Sequence, residues 1–166
     1  MRITHTLLKR LPKVELHCHL DGSLRIETVF DLAQKDKINL PASNIDDLHK
    51  ALVIGNKRCS LEEYLSRFDI TLSVMQTPES LERCAYELIE DVAKENVRYI
   101  EIRYSPILHT QKDMTPEDSI IAVRTGLRKA EKDFGVKSGI IVCGIRNISS
   151  EVSLKLADIT VRYKNR

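Results

Sequence analysis

Three short runs of the chain are apolar and β-branched enough to read as buried strands: Val14–His19, Val97–Tyr104 ("VRYIEIRY") and Lys137–Ile145 ("KSGIIVCGI"). Longer stretches keep a helical period. Leu81, Ala85, Leu88, Ile89 and Val92 share one face behind Thr77-Pro78, a helix opening with a hydroxyl cap and a proline at the first position. Thr115-Pro116 repeats the device for Ile120, Val123, Leu127, Ala130 and Phe134, and Gly135 closes that helix. From about Ser149, Val152, Leu156, Ile159 and Tyr163 form a third stripe. Strand, helices, strand, helix, strand, helix is the grammar of an α/β protein with parallel strands. A further helical stretch, about residues 45–75, stands between the first two strands. It is long for a simple crossover, and long excursions after a strand's C-terminal end often carry function.

Composition narrows this picture without redirecting it. At 166 residues the chain is expected to form a single domain over 1–166. Twenty-six Lys and Arg stand against 24 Asp and Glu, a net charge of +2 that gives no reason to expect nucleic acid or an anionic membrane as partner. No apolar run approaches the 18 or so residues of a membrane helix, and the start, "MRITHTLLKRLPK", has no signal-peptide core, so a cytoplasmic location is expected. Cys18, Cys59, Cys84 and Cys143 are scattered, with no C-x-x-C pair, and read as reduced thiols rather than a disulfide or zinc framework.

The chemistry concentrates in "VELHCHLDGSLR", Val14–Arg25. Residues two apart on a strand point the same way, so His17 and His19 aim together and Cys18 aims opposite. Two imidazoles on the inward face of a buried strand need partners. A metal satisfies both, and zinc takes imidazole nitrogen readily. Ordinary hydrogen bonds are the plainer alternative for so short a motif. Asp21 and Gly22 follow where the strand should turn into a loop, the edge at which parallel α/β folds build their sites.

The longer string closely resembles the first-strand signature of the adenosine deaminase family, a branch of the amidohydrolase superfamily. "SLEEYLSRFD" (Ser60–Asp69), "YIEIRYSP" (Tyr99–Pro106) and "VCGIRN" (Val142–Asn147) resemble further segments of that family, in the same order and over essentially all of Leu11–Asn165. Asp21 is the residue that adenosine-type members carry there, where adenine deaminases tend to carry Glu. The resemblance implies the N-terminal portion of a (β/α)₈ barrel, about three βα units plus a helical insertion. It implies one zinc ion at the C-terminal mouth, and conversion of adenosine and deoxyadenosine to inosine and deoxyinosine with release of ammonia, in purine salvage. By position, His17 and His19 would be zinc ligands, with His19 also bordering the purine nucleoside. Asp21 would bind the ribose 5′-hydroxyl. Leu61, Tyr64, Leu65 and Phe68 match the helix that forms an apolar lid over the purine, within the 45–75 insertion. Their spacing alone gives one helical face, which plain core packing would explain as well.

The family's pattern is only partly present. A (β/α)₈ barrel takes about 250 residues. The family's third zinc histidine, general-acid glutamate, water-orienting histidine and zinc aspartate have no match before Arg166, so no catalytic residue is assigned here and the zinc site would be completed by residues beyond Arg166. His5 in the leader, His49 on an expected exposed helix and His109 in a loop are poor substitutes. Glu101 and Arg103 share one face of the second strand, where structural pairing with each other or with neighbours is the plainer reading; Arg146 reads similarly. Two functions compete: a zinc aminohydrolase represented by its N-terminal half, and a non-catalytic truncated or split-gene piece that needs a complementary half. Open barrel edges would also favour self-association.

Overall fold

Val97–Tyr104 becomes the middle strand because its apolar side chains have helices to pack on and both its edges find partners. A computed structural model describes residues 3–55 and 59–164. Its element order is α1 (His5–Arg10), β1 (Lys13–His19), α2 (Ile26–Asp36), α3 (Ile45–Leu52), α4 (Leu61–Val74), α5 (Pro78–Lys94), β2 (Val97–Tyr104), a 3₁₀ turn (Pro106–His109), α6 (Pro116–Phe134), β3 (Lys137–Val142) and α7 (Ser150–Tyr163). The three strands form one sheet in the order β1-β2-β3, and both pairings are parallel. This is the expected α/β arrangement of three strand–helix units.

The register sets the strand ends level. His19 pairs with Arg103, and Arg103 with Ile141. Beyond the strands, Leu20 N–H donates to Arg103 O (3.0 Å) and Cys143 N–H to Tyr104 O (2.9 Å). β3 is shorter than the expected run to Ile145. After Cys143 the chain turns at Ile145, whose carbonyl accepts from Ile148 N–H, and heads into α7. β1 starts one residue earlier than expected. Lys13 N–H donates to Asn96 O, and its ammonium group donates to the carbonyls of Lys9, Leu11 and Glu95. A cation there faces the C-terminal ends of α1 and α5, whose carbonyls lack helical partners. The short helix α1 was not foreseen in the leader. Thr4 caps it by accepting from Leu7 N–H.

The three apolar stripes bury along most of their length, with Val92, Phe134, Val152 and Tyr163 half-buried. Leu81, Ala85, Leu88 and Ile89 of α5, Ile120, Val123, Leu127 and Ala130 of α6, and Leu156 and Ile159 of α7 are all buried. Thr77 and Thr115 each close a capping box, and Gly135 ends α6 in the left-handed region at φ 70°. At Gly126 the two central helices meet so closely that a Cβ would stand 2.2 Å from the Glu82 carbonyl oxygen. Only glycine permits that crossing. α2 docks on α5 through a polar seam: the Thr28 hydroxyl donates to Glu87 and Arg83 donates to Asp31, while Arg83 also donates to Glu87 within α5.

One expectation fails. β1 is not buried on both faces: Val14 and Leu16 remain 61% and 55% exposed. The strand has a partner on one edge, and no described helix covers its outer side. The 45–75 segment holds α3 and α4, as expected for a helical insertion; residues 56–58 within it lie outside the described residues.

α4 ends in a buried polar latch. Gln76 donates to the carbonyls of Leu72 and Leu108 and accepts from Gln111 N–H, while His109 Nδ1 lies 2.9 Å from Met75 O. His109 is fully buried, and burial drives its pKa down from 6.5 to about 4. The imidazole therefore stays neutral in the fold and titrates near 6.5 when unfolded. Its contribution is fully present above pH 6.5 and is lost as pH falls from there towards about 4. At pH 5 the loss is expected to be on the order of 2 kcal/mol. Urea unfolding at pH 7.5 and pH 5.0 checks this: His109→Gln should show a much smaller drop between the two than the parent chain. An equal drop in both would assign the acid sensitivity elsewhere.

Candidate active site

β1 ends on the two histidines, and the period-2 geometry holds. The rings of His17 and His19 lie on one side with centroids 5.5 Å apart. Cys18 turns to the other side, its sulfur 3.3 Å from the Ser23 hydroxyl. Two imidazoles bound to one tetrahedral ion at 2.0–2.1 Å would place their centroids roughly 5 Å apart. The observed pair fits that spacing, and both rings are open to solvent. Among the described residues, no group of three or more His, Cys, Asp and Glu converges on a common point. The pair thus fits two positions of a zinc site that takes its other ligands from elsewhere.

The turn after β1 is fixed at several points. Leu20 is buried, and its N–H extends the sheet ladder. Ser23 N–H donates to Leu20 O, and the Ser23 hydroxyl donates to His19 O (2.6 Å). Between these anchors sits Asp21, only 7% exposed. Its Oδ1 is 3.6 Å from His19 Nδ1, beyond hydrogen-bond reach, and has no hydrogen-bond partner. Burial pushes this carboxyl above its ordinary pKa, opposed by the nearby His19. An orphaned acceptor of this kind is unfavourable in the fold alone and suits a ligand donor.

A pocket of about 170 Å³ opens beside it, walled by Asp21, Gly22, Leu24, Tyr64, Arg67 and Phe68 among others. The α4 residues reach it at helical spacing, and the Tyr64 and Phe68 rings meet edge to face at 5.6 Å. Phe68 comes so near the turn that a Cβ on Gly22 would stand 3.3 Å from its ring. The four-residue stripe divides: Tyr64 and Phe68 line the pocket, whereas Leu61 and Leu65 are 70% and 52% exposed and stay outside its wall. Core packing does not account for the stripe, since Tyr64 too is 46% exposed. Sequence reasoning missed Arg67. Its Nη1 donates to Ala51 O (2.6 Å), tying α4 to the end of α3. The signal was present in the i, i+3, i+4, i+7 set of Tyr64, Arg67, Phe68 and Thr71.

The remaining candidates stand apart. His5 and His49 are exposed on α1 and α3, and His109 belongs to the buried latch. Glu101 does not pair with Arg103; it accepts from the Tyr99 hydroxyl at 3.1 Å. Arg103 Nε is buried with no hydrogen-bond partner among the described residues. Arg146 is exposed. All four cysteines are free thiols.

Comparison with known proteins decides what this arrangement descends from. Residues 12–166 match the adenosine deaminase family. The chain belongs to the adenosine deaminase family. The adenosine deaminase of Clostridium perfringens is 49% identical over 142 residues, which are 86% of this chain and 43% of that protein. That of Clostridium botulinum strain Loch Maree is 49% identical over 140 residues, 84% and 42%. The chain therefore spans less than half the length of these relatives. Among solved structures, the adenine deaminase of Arthrobacter aurescens superposes with a TM-score of 0.80 at 28% identity, over 91% of this chain and 45% of that one. An amidohydrolase of Burkholderia ambifaria with bound Zn gives 0.81 at 28% identity, over 99% and 45%. Arabidopsis ADAL complexed with GMP gives 0.76 at 26%, over 95% and 47%. The fold is accordingly the N-terminal portion of the deaminase (β/α)₈ barrel.

The orphaned carboxylate has a stability consequence. Its raised pKa means the charged form is disfavoured by folding, so stability is greatest when Asp21 is protonated and is lost as pH rises through its folded pKa. Asp21→Asn should stabilise the chain at pH 7 by about 1 kcal/mol, and the gain should vanish near pH 3. Urea midpoints of the two proteins across that range measure it. Destabilisation at pH 7 would mean that the carboxylate is held by donors.

Proposed function

We propose that this chain supplies the first-strand half of a zinc-dependent adenosine deaminase site. The supporting observation is the placement of paired His17 and His19 imidazoles at the mouth of the sheet, next to a pocket that holds an unsatisfied carboxylate. In this reading His17 and His19 hold zinc, and His19 also borders the substrate. Asp21 accepts the ribose 5′-hydroxyl of adenosine or deoxyadenosine. The 45–75 segment is the lid, with Tyr64 and Phe68 against the purine and Leu61 and Leu65 at its outer rim. When bound, zinc supplies an activated water for hydrolytic release of ammonia. The general acid and the other ligands come from segments outside these 166 residues, in the same or a second polypeptide. The setting is cytoplasmic purine salvage. It is supported by four free thiols and by the lack, among the described residues, of any helix long and apolar enough to cross a membrane.

A second reading is favoured by one observation. With two imidazoles and no third converging ligand among the described residues, residues 1–166 alone are non-catalytic and bind metal weakly. Zinc analysis after dialysis against a chelator should find well below one ion per chain, and His17→Ala or His19→Ala should remove what remains. Stoichiometric zinc indifferent to both substitutions would overturn the ligand assignment.

Turnover tests the whole reading. The chain with zinc and adenosine should show no loss of absorbance as inosine forms. Supplying the C-terminal half of a clostridial relative should restore it, in a form abolished by His17→Ala. In that assembly Asp21→Ala should weaken adenosine relative to 5′-deoxyadenosine by roughly 1.5–3 kcal/mol, the worth of a hydrogen bond to a charged group. Turnover by a monodisperse monomer of this chain would refute the division of the site. Equal losses for both substrates would refute the role of Asp21.

A further inference from the structure

Asp21 Oδ1 has no hydrogen-bond partner, so nothing at that oxygen fixes where the carboxylate sits. The turn that carries it is held at its ends. The near end is pinned to the sheet by Leu20 N–H on Arg103 O and by Ser23 on His19 O. The far end is Arg25, the last residue of the HxHLDGSLR string and the one to which no role has yet fallen. Arg25 stands at the N-cap of α2 but makes no capping bond with its side chain. Its guanidinium instead grips α5. Nε donates to Asp91 Oδ2 (2.8 Å), and Nη2 donates to Asp91 Oδ1 and Glu90 Oε2 (both 2.6 Å) and to Glu87 O (3.4 Å). The pairing with Asp91 is bidentate, the geometry that adds direction to charge. These bonds hold the Asp91 and Glu90 carboxyls below their ordinary pKa, and the guanidinium is 30% exposed.

The α2–α5 seam does not need Arg25 for cohesion. Thr28–Glu87 and Arg83–Asp31 already close it further along. What Arg25 adds is direction at the point where the turn enters the helix, four residues from Asp21. We propose that Arg25 is a positioning residue: its fork on Asp91 and Glu90 sets the 20–25 turn, and through it the place of the Asp21 carboxylate in the pocket wall. The consequence for substrate rests on the function proposed above. Discrimination at the sugar end of the nucleoside then depends on a contact made on the outer helices. Lysine should replace Arg25 only in part, because an ammonium group cannot fork.

Two measurements test this, one of them independent of activity. Cys18 shares the turn through its contact with Ser23, while Cys84 is buried on α5 and reports general opening. Alkylation of the full chain, followed at each cysteine by mass spectrometry, should run at least tenfold faster at Cys18 in Arg25→Met. Cys84 should be unchanged, and Arg25→Lys intermediate. An unchanged Cys18 rate, or equal acceleration at Cys84, overturns the proposal. In the turnover-competent assembly, Arg25→Met should cut the adenosine to 5′-deoxyadenosine ratio of kcat/KM at least fivefold. It should do nothing further to that ratio when combined with Asp21→Ala. A ratio that Arg25→Met leaves intact while Asp21→Ala lowers it also overturns the proposal. A ratio that Asp21→Ala itself leaves intact refutes the sugar role of Asp21, and the Cys18 rates then decide on the anchoring by themselves.

Discussion

Parallel pairing of β1 and β3 on β2 is the constraint on which everything else rests. β2 is the only strand of the three with a partner on each edge, and its Ile100, Ile102 and Tyr104 side chains are buried. The β1–β2 register shifts between Lys13 and Val14 and again between Glu15 and Cys18, and then settles with Cys18 opposite Ile102 and His19 opposite Arg103. Because His19 stands opposite Arg103, the turns after β1 and β2 leave the sheet at one level, and the carbonyls of Arg103 and Tyr104 tie down the chain just past β1 and β3. A slip of one residue would send His17 and His19 to the helix side and Cys18 to the open side. The mouth is therefore built by the sheet, and the loops only furnish it.

The furnishing is uneven in electrostatic terms. Outside the mouth, charged groups are paired in ladders: Arg25 with Asp91 and Glu90, Arg83 with Asp31 and Glu87. At the mouth they are not. Asp21 Oδ1 and Arg103 Nε are buried without partners, and both imidazoles face solvent. Buried polar groups are nearly always satisfied in folds that answer only to stability. Two such groups, Asp21 Oδ1 and Arg103 Nε, lie at one end of the sheet beside the paired imidazoles; Arg124 Nη1 on α6 is unpartnered as well.

The sequence made much of this legible, for identifiable reasons. Strands and helices with strong periods were readable because their apolar faces have partners within the chain, as Leu81–Ile89 and Ile120–Ala130 do. β1 was misjudged as a buried strand because period alone does not reveal whether both faces will be covered. The side-by-side histidines followed from strand geometry. The division of the α4 stripe did not, since Leu61 and Phe68 occupy one helical face and differ only in how far the neighbouring turn reaches. The anchoring roles of Arg67, Arg25 and His109 were invisible for a common reason. Each depends on a partner 16 to 66 residues away, Ala51, Asp91 and Met75 respectively. Periodicity carries no information on contacts at such separations.

Those distant contacts explain how a site built on turns can hold its geometry. A turn gains little from its own backbone, because ordering it costs conformational entropy and returns few hydrogen bonds. The turn after β1 is spared that weakness by borrowing rigidity from two sources, the sheet at Leu20 and the α5 carboxylates at Arg25. α4 borrows in the same way, from Ala51 through Arg67 and from the Gln76–His109 latch at its far end. Both carriers of the pocket wall are thus fastened to elements outside themselves. Such fastening lets Asp21 Oδ1 remain unsatisfied without the local structure yielding to satisfy it.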